Sequence, residues 1–284
     1  MSSGVSFDAF PPPAMAVKAE SVGVEKARLD FLSMFALAIL AGAYIAIGAI
    51  FCTTVLAEGS TLPYGVGRLL GGLVFSTGLI LVVVGGAELF TGNNLMSMAL
   101  ASRKISVGGL LRNWAIVYVG NFVGSVITAY IMFLSKQYSF GNGAIGLAAL
   151  NIGEAKTNFG FIQAVALGIM CNALVCLAIW LCYSARSTTD KILAIIPPIS
   201  AFVACGFEHS VANMYFIPVA LFIKDLADPN FFAVIKKTAA DFAQLTWGNF
   251  LLANLLPVTI GNIIGGAVMV GLVYWFAYLR PASK

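Results

Sequence analysis

Long apolar runs separated by short polar stretches dominate the chain. Four of these runs, residues 31–57, 113–135, 157–185 and 249–279, contain no charged side chain. Each exceeds the roughly 20 apolar residues that an α-helix needs to cross the hydrocarbon core of a bilayer. The pattern therefore predicts four unbroken transmembrane helices.

Two further apolar runs are interrupted by acidic residues. Residues 69–102 are uncharged except for Glu88, and residues 192–223 are interrupted by Glu208 and its neighbour His209. One straight helix of either length would overshoot the bilayer. Each run is therefore predicted to be a single span that is broken at the acidic residue. The glycines expected to unwind the first break are Gly85, Gly86 and Gly92.

The sequence repeats itself around these breaks. The motif Gly-x-Glu-x-x-x-x-Asn occurs at residues 86–93 and 206–213, and Asn-x6-Gly-Asn-x-x-Gly occurs at residues 113–124 and 254–265. The repeat unit is three predicted helices, and because three is odd, the second copy must enter the membrane from the opposite side. The predicted fold is an all-α polytopic membrane protein. Its six transmembrane helices form two inverted three-helix repeats, whose broken second and fifth helices meet near the midplane.

The segments outside the spans are polar. Residues 1–30 form an N-terminal segment with a weakly amphipathic helix after three prolines, residues 31–279 form the six-helix transmembrane domain, and residues 280–284 form a tail. Residues 136–158 are expected to be a polar connection, and residues 224–247 a loop with an interfacial helix.

Composition excludes a soluble domain. Hydrophobic residues make up 60% of the chain and charged residues 10%, whereas a soluble domain carries about 25% charged residues. The charges form no basic patch with interleaved aromatic residues, which excludes nucleic acid as a partner. The start of the chain lacks the features of a cleaved signal peptide, so the N-terminal segment is expected to remain. Ten of the 16 Lys and Arg residues lie on the side of the two termini. This distribution predicts a multi-pass protein of the cytoplasmic (inner) membrane with both termini in the cytoplasm.

No cofactor or metal site is expected. The five cysteines all lie inside apolar runs, and a single histidine in the chain cannot complete a zinc or iron site at normal spacing. The sequence also lacks the phosphate-binding Gly-x-x-x-x-Gly-Lys pattern of ATP-driven pumps. Passive or ion-coupled transport remains.

His209 and the two glutamates are the candidate chemical groups. An ionisable side chain inside a membrane span is costly and usually lines a pathway. A packing role, with His209 bonded only to a backbone carbonyl, stays open. The unwound backbone beside it exposes N–H groups that attract anions. Glu88 and Glu208 would repel an anion, so each is expected to accept hydrogen bonds from the unwound loop of its own repeat.

Other side chains near the breaks have two interpretations each. Asn121, Asn172 and Asn262 either contact a substrate or bond neighbouring helices. A set of apolar residues either belongs to the ordinary core or forms constrictions that exclude water from a path. These residues are Phe75, Leu79, Leu89, Phe90 and Phe202.

Three segments carry a family resemblance. They are residues 206–214 (Gly-Phe-Glu-His-Ser-Val-Ala-Asn-Met), residues 261–266 (Gly-Asn-Ile-Ile-Gly-Gly), and Phe7-Asp8 followed by residues 12–16. Together they resemble the formate/nitrite transporter family, most closely its formate channels, over essentially the whole chain. The resemblance implies an aquaporin-like fold without the Asn-Pro-Ala motifs of aquaporins. It also implies a homopentamer with one pore per protomer, and small monovalent anions as substrates.

The same resemblance implies roles for individual residues. Thr91 and His209 would meet at the centre of the pore, with Asn172 and Glu208 orienting the histidine. Lys156 and Asn213 would lie on the outer side of the path. The constrictions would be formed by Phe75, Leu79, Leu89 and Phe202.

The leading hypothesis is a channel that carries formate across the membrane, alone or together with a proton. A nitrite or hydrosulfide channel of the same family is the alternative. A membrane enzyme that used His209 and Glu208 as acid and base would lack a nucleophile or metal set beside them. A structural scaffold would be impermeable to all of these anions.

Overall fold

The computed structural model describes residues 8–57 and 62–280, and all regular structure within these ranges is helical. Residues 1–7, which include Phe7 of the family resemblance, residues 58–61 and the predicted tail residues 281–284 lie outside the described residues. The α-helices are α1 (Pro12–Arg28), α2 (Phe31–Leu56), α3 (Tyr64–Gly85), α4 (Phe90–Asn93), α5 (Ser97–Ala101), α6 (Val107–Leu134), α7 (Ala144–Thr157), α8 (Phe161–Ser184), α9 (Thr188–Ala204), α10 (Ser210–Leu226), α11 (Pro229–Ile235), α12 (Trp247–Asn249), α13 (Leu256–Ile263) and α14 (Val273–Tyr278). Short 3-10 turns lie at Asn94–Met96, Gln137–Ser139 and Ala239–Phe242, and π-helical stretches at Phe250–Leu255 and Ile264–Leu272.

The four unbroken spans are present as α2, α6, α8 and the continuous helical segment 247–278. Polar side chains fix where two of them begin, because they accept hydrogen bonds from backbone N–H groups that have no partner inside the helix. Asp30 accepts from the Ser33 N–H at 3.0 Å, and Ser106 accepts from the Gly109 N–H at 3.0 Å. The cap at Ser106 explains why α6 begins before residue 113, where the uncharged run begins.

Both predicted breaks are present. Residues 86–89 separate α3 from α4, and residues 205–209 separate α9 from α10. Gly86 and Gly206 adopt φ values of +78° and +74°, in the left-handed region that favours glycine. The expectation that Gly86 unwinds the first break is confirmed, and Gly206 has the equivalent position in the second break. The same expectation for Gly85 and Gly92 is wrong, since Gly85 is the last residue of α3 and Gly92 lies inside α4.

The two repeats pack in equivalent ways and exchange their half-helices. In the first repeat α2 packs against α3 and α6, and in the second α8 packs against α9 and α13. α3 packs against α9 where the repeats meet. After the breaks, α10 packs against α6 of the first repeat, and α4 packs against α8 of the second. The centre of the fold is therefore shared between the repeats.

Glycine allows the close contacts within each repeat. A Cβ atom at Gly124 would lie 2.0 Å from the Ile39 carbonyl oxygen, and one at Gly265 would lie 2.1 Å from the Ile169 carbonyl oxygen. Only a residue without a side chain fits at such distances, as is usual where membrane helices approach closely. These two equivalent contacts confirm that the glycines of the second motif are packing residues.

Residues 136–158 are not the polar connection that their sequence predicts. They include α7, which packs against α10 and buries its inward face. Its small residues, including Gly146, Ala149 and Gly153, give too little hydrophobic contrast to predict a buried helix. Lys156, near the end of α7, stands five residues before the first residue of α8. Lys26, near the end of α1, stands five residues before the first residue of α2. The repeat unit is therefore four helices, with a short helix ahead of each three-span group.

Candidate substrate path

Two side chains from opposite repeats touch where the broken helices meet. The Thr91 hydroxyl at the start of α4 lies 2.9 Å from Nε2 of His209, and both residues are buried. Thr91 is brought there by the first break and His209 by the second. The structure thus brings together the two residues that the resemblance places at the centre.

The backbone fixes the imidazole of His209. His209 is the N-cap of α10, and its Nδ1 accepts a hydrogen bond from the Ala212 N–H at 3.0 Å. Because Nδ1 accepts, the neutral ring carries its proton on Nε2, which faces Thr91. The equivalent position in the first break is Leu89, which makes no side-chain cap. The pseudo-symmetry of the fold is therefore broken at the central pair.

Glu208 is the hub of a buried polar cluster. Its Oε1 accepts from Nζ of Lys156 at 2.6 Å, and its Oε2 accepts from the side-chain amides of Asn213 at 2.7 Å and Asn254 at 3.1 Å. A buried carboxylate is stabilised when its charge is paired and its lone pairs are satisfied. Glu208 is therefore paired with Lys156 and has no oxygen without a hydrogen-bond partner.

Glu88 is the hub of a matching cluster in the first repeat. Its Oε1 accepts from Nζ of Lys26 at 2.5 Å, and its Oε2 accepts from the Asn93 amide at 2.7 Å. Asn93 also donates to Asn113, as Asn213 does to its own repeat partner. Each glutamate accepts hydrogen bonds within its own repeat, as predicted, but the prediction that the donors belong to the unwound loop is wrong, since they are side chains of the helices packed around the break. The lysine pairing was not predicted, because 62 residues separate Lys26 from Glu88.

Two asparagines hold the unwound backbone. The amide of Asn262 donates to the carbonyls of Gly168 and Glu208 at 2.8 and 2.9 Å, and its oxygen accepts from the Ser210 N–H at 2.9 Å. Asn121 makes the same three bonds in the first repeat, to the Ala38 and Glu88 carbonyls and from the Phe90 N–H. Both amides thus bond helices and breaks together, which is one of the two roles left open by the sequence.

Asn172 contacts the central pair through Thr91. Its amide donates to the backbone carbonyls of Thr91 at 3.2 Å and Asn262 at 2.7 Å. The hydrogen bonds of Asn172 and of the Glu208 side chain do not go to the ring of His209, whose position is set by Ala212 and Thr91. Asn172 therefore fixes the first break relative to the last span.

A vestibule lies on each side of the central pair. The first vestibule, a cavity of about 450 Å³, includes Leu37, Leu89 and Gly92 in its lining, and the second vestibule, about 50 Å³, includes Cys52 and His209. Leu37 and Cys52 both belong to α2 and are about 22 Å apart along its axis at 1.5 Å per residue. The vestibules therefore open toward opposite ends of α2. The ionisable residues Lys18, Glu25, Lys26, Glu88, Cys182, Tyr183 and Lys191 line the first, and Cys52, Arg68, Lys156 and His209 line the second.

The predicted constriction residues are all buried but differ in position. Phe202 meets Phe75 edge to face with ring centres 5.5 Å apart, stacks on His209 at 5.9 Å, and lines the second vestibule. Leu89 lines the first vestibule. The ring of Phe90 instead packs against Trp114 and Tyr118 of α6. Leu79, one turn beyond Phe75 in α3, is buried in the core.

Sequence reasoning missed four cationic residues that line the vestibules, namely Lys18, Lys26, Lys191 and Arg68. Lys26 had an available signal, since it stands five residues before Phe31, as Lys156 stands five residues before Phe161. Arg68 precedes the uncharged run of the second span and offered no comparable pairing.

Comparisons with known proteins agree with this fold. A family model described as formate/nitrite transporter matches residues 13–276. The formate channel FocA of Escherichia coli strain K12 is 47% identical over 280 residues, covering 99% of this chain and 98% of that protein. A solved structure titled "Pentameric formate channel with formate bound" is 49% identical with a TM-score of 0.84, covering 88% of this chain and 98% of that one. A second, titled "FNT family ion channel", is 31% identical with a TM-score of 0.80, covering 94% and 99%.

Proposed function

Because this chain belongs to the formate/nitrite transporter family, we propose that it is a formate channel with a path from the first vestibule, between Thr91 and His209, to the second. The single observation that carries the path is the 2.9 Å contact between Thr91 and His209, made between two vestibules at opposite ends of α2. Membership of this family makes the chain a transporter and not an enzyme.

The charges along the proposed path favour a monovalent anion. Lys26 and Lys156 attract an anion into either vestibule, and their pairing with Glu88 and Glu208 keeps either site from trapping it. Lys18 adds a further charge to the first vestibule. Burial, followed by the nearby charges of Lys191 and Arg186, lowers its pKa. A negative charge arriving there offsets that repulsion.

The central pair can bind a carboxylate through two donors. In the neutral tautomer the Nε2–H of His209 donates to the Thr91 hydroxyl oxygen, which leaves the hydroxyl proton of Thr91 for a formate oxygen. A formate that separates the pair would receive both donors, one on each oxygen. Phe75 and Phe202 beside this point exclude water, which strengthens such hydrogen bonds.

Proton movement is part of the proposal. An anion beside the ring favours protonation at Nδ1, which would break the hydrogen bond from Ala212. The imidazolium, which takes this proton from the external solution, can donate its Nε2 proton to formate, giving a neutral ring and a neutral acid that crosses apolar surroundings more easily than the anion. This step couples formate uptake to a proton.

We propose that the chain works as a homopentamer in the cytoplasmic membrane, with one path per protomer. The support is the formate-bound pentameric relative and a surface rich in apolar side chains. Such exposed residues on the spans suit contact with lipid or with neighbouring protomers. They include Leu40, Ile47, Phe51, Val119, Ile127, Ile131, Leu252, Leu256 and Val268.

Orientation follows from the distribution of Lys and Arg, which puts both termini in the cytoplasm. Cys205 is the one exposed cysteine among the described residues, so cysteine labelling begins from a Cys205→Ser background. In this background, single cysteines are introduced at two exposed positions, Val17→Cys on α1 and Phe140→Cys before α7. The proposed topology places these two positions on opposite sides of the membrane. We expect an impermeant maleimide added to intact cells to label position 140 and not position 17. Labelling of position 17 alone would show that the termini lie outside the cell, and labelling of both positions would contradict the inverted repeat.

Flux measurements test the function directly. Protein reconstituted in liposomes should carry formate faster than nitrite, hydrosulfide or chloride under equal gradients. The nitrite or hydrosulfide alternative has less support, since the named relatives are formate channels. Formate flux no greater than in protein-free liposomes would refute the proposal, and a faster nitrite or hydrosulfide flux would establish the alternative.

A further inference from the structure

Arg68 on α3 lines the second vestibule and has no acidic partner among the residues that the structure describes. Among the described residues, the lining of this vestibule contains two basic side chains, Arg68 and Lys156, and no carboxylate. Lys156 is paired with Glu208, whereas Arg68 forms no ion pair within the described part of the chain. The guanidinium is therefore the uncompensated positive charge of this cavity.

One part of the Arg68 guanidinium is in use and another is free. Its Nη2 donates to the Val203 carbonyl at 2.5 Å, while its Nε is buried and lacks a hydrogen-bond partner within the described residues. A buried N–H group without a partner is unfavourable and uncommon in folded proteins. The free N–H and the uncompensated charge therefore indicate a ligand that accepts hydrogen bonds and carries a negative charge.

We propose that Arg68 is a docking site for the carboxylate of the transported anion in the second vestibule, an inference that rests on the proposed function. A guanidinium presents adjacent N–H groups that match the two oxygens of a carboxylate. A cavity of about 50 Å³ suits an anion of a few heavy atoms. Because arginine stays charged at all physiological pH values, docking here does not depend on titration.

The proposed docking site at Arg68 lies next to the central pair, on the side of the second vestibule. Val203, which Arg68 holds, follows Phe202, and Phe202 stacks on the ring of His209. A carboxylate at Arg68 is thus positioned at the aromatic neck beside His209. The 120-residue offset between Glu88 and Glu208 aligns Arg68 with Thr188 of the second repeat, which has no charge. Docking through a guanidinium is therefore a property of one side of the channel.

The first arm of the test replaces Arg68 with lysine, which keeps the charge but removes the planar fork. Formate and hydrosulfide fluxes are measured in vesicles of one orientation, with anion added to either side. For formate added at the second vestibule, we expect the half-saturating concentration to rise about tenfold, the effect of about 1.4 kcal/mol, with a similar maximal rate. Hydrosulfide, with one heavy atom, should be unaffected. A reduced maximal rate for both anions from both sides would mean that Arg68 only holds Val203, and would overturn the proposal.

The second arm uses the unmodified protein and the small arginine reagent methylglyoxal. Formate should slow modification of Arg68, quantified by mass spectrometry, and leave exposed Arg103 unchanged. If formate crosses the membrane but does not protect Arg68, docking is refuted while the proposed function stands. If formate protects Arg68 but does not cross, docking stands and the transport function is refuted.

Discussion

Replacing Asn262 with leucine is expected to abolish formate transport and to reduce strongly the yield of folded protein. The change removes three hydrogen bonds and leaves the Glu208 carbonyl and the Ser210 N–H buried without their partner, while the Gly168 carbonyl keeps its place in the hydrogen-bond ladder of α8. Each of the two orphaned groups costs about 1–3 kcal/mol, so the sum of about 2–6 kcal/mol is a large part of the stability of about 5–15 kcal/mol of a typical domain. The measurements are the yield of monodisperse protein in detergent and formate flux in liposomes.

Two variants make this test specific. Asn121→Leu removes the equivalent three bonds from the first break and should cause a similar loss. Asn151→Leu, at an exposed position of α7, should leave both yield and flux near the unmodified values. Normal flux in Asn262→Leu would show that the second break holds its shape without this amide, which would contradict its structural role.

Replacing His209 with asparagine is expected to remove the pH dependence of formate flux while flux persists in at least one direction. Imidazole is the side chain that ordinarily changes charge between pH 5 and 8. Other ionisable groups near it are Lys156 and Glu208, which form an ion pair, and Arg68. In the unmodified channel, lower external pH should favour proton-coupled movement. Asparagine keeps a polar group beside Thr91 but cannot titrate.

Thr91→Ser is the matched control, because it keeps the hydroxyl that faces His209 and leaves the imidazole in place. This variant should retain the pH profile of the unmodified channel. Initial rates of formate uptake from pH 5 to 8 provide the comparison. If His209→Asn also retained that profile, the histidine would be a packing residue held by Ala212 and Thr91.

The spans and breaks could be predicted because the bilayer imposes simple demands on sequence. Glu88 and Glu208 each interrupt an apolar run, and a charge is tolerated at membrane depth only in special surroundings. α7 escaped prediction because a helix packed by glycine and alanine carries little hydrophobic contrast. The equivalence of α7 to α1, which was predicted as a helix, therefore became apparent only from the structure.

The partners within the site were harder to predict than its members. His209 was conspicuous as the one histidine of the chain. Its cap to Ala212 depends on the extended backbone at the break, which no residue pattern specifies. Lys156 and Glu208 are 52 residues apart, and their pairing requires α7 to lie against α10. Such pairings depend on tertiary structure, so sequence spacing alone could not indicate them.

The exchange of half-helices between the repeats has a consequence for membrane insertion. The carbonyl of Thr91 is held by Asn172 of α8, and the hydroxyl of Ser97 donates to the Ala267 carbonyl of the last span. A ribosome that synthesises this chain delivers the first half-helix well before either partner. Until residue 267 has been synthesised, the first half-helix of the nascent chain lacks part of the contacts that hold it in the folded protein. The path is therefore enclosed by protein only when translation is nearly finished. A chain that terminates early is expected to form no functional channel.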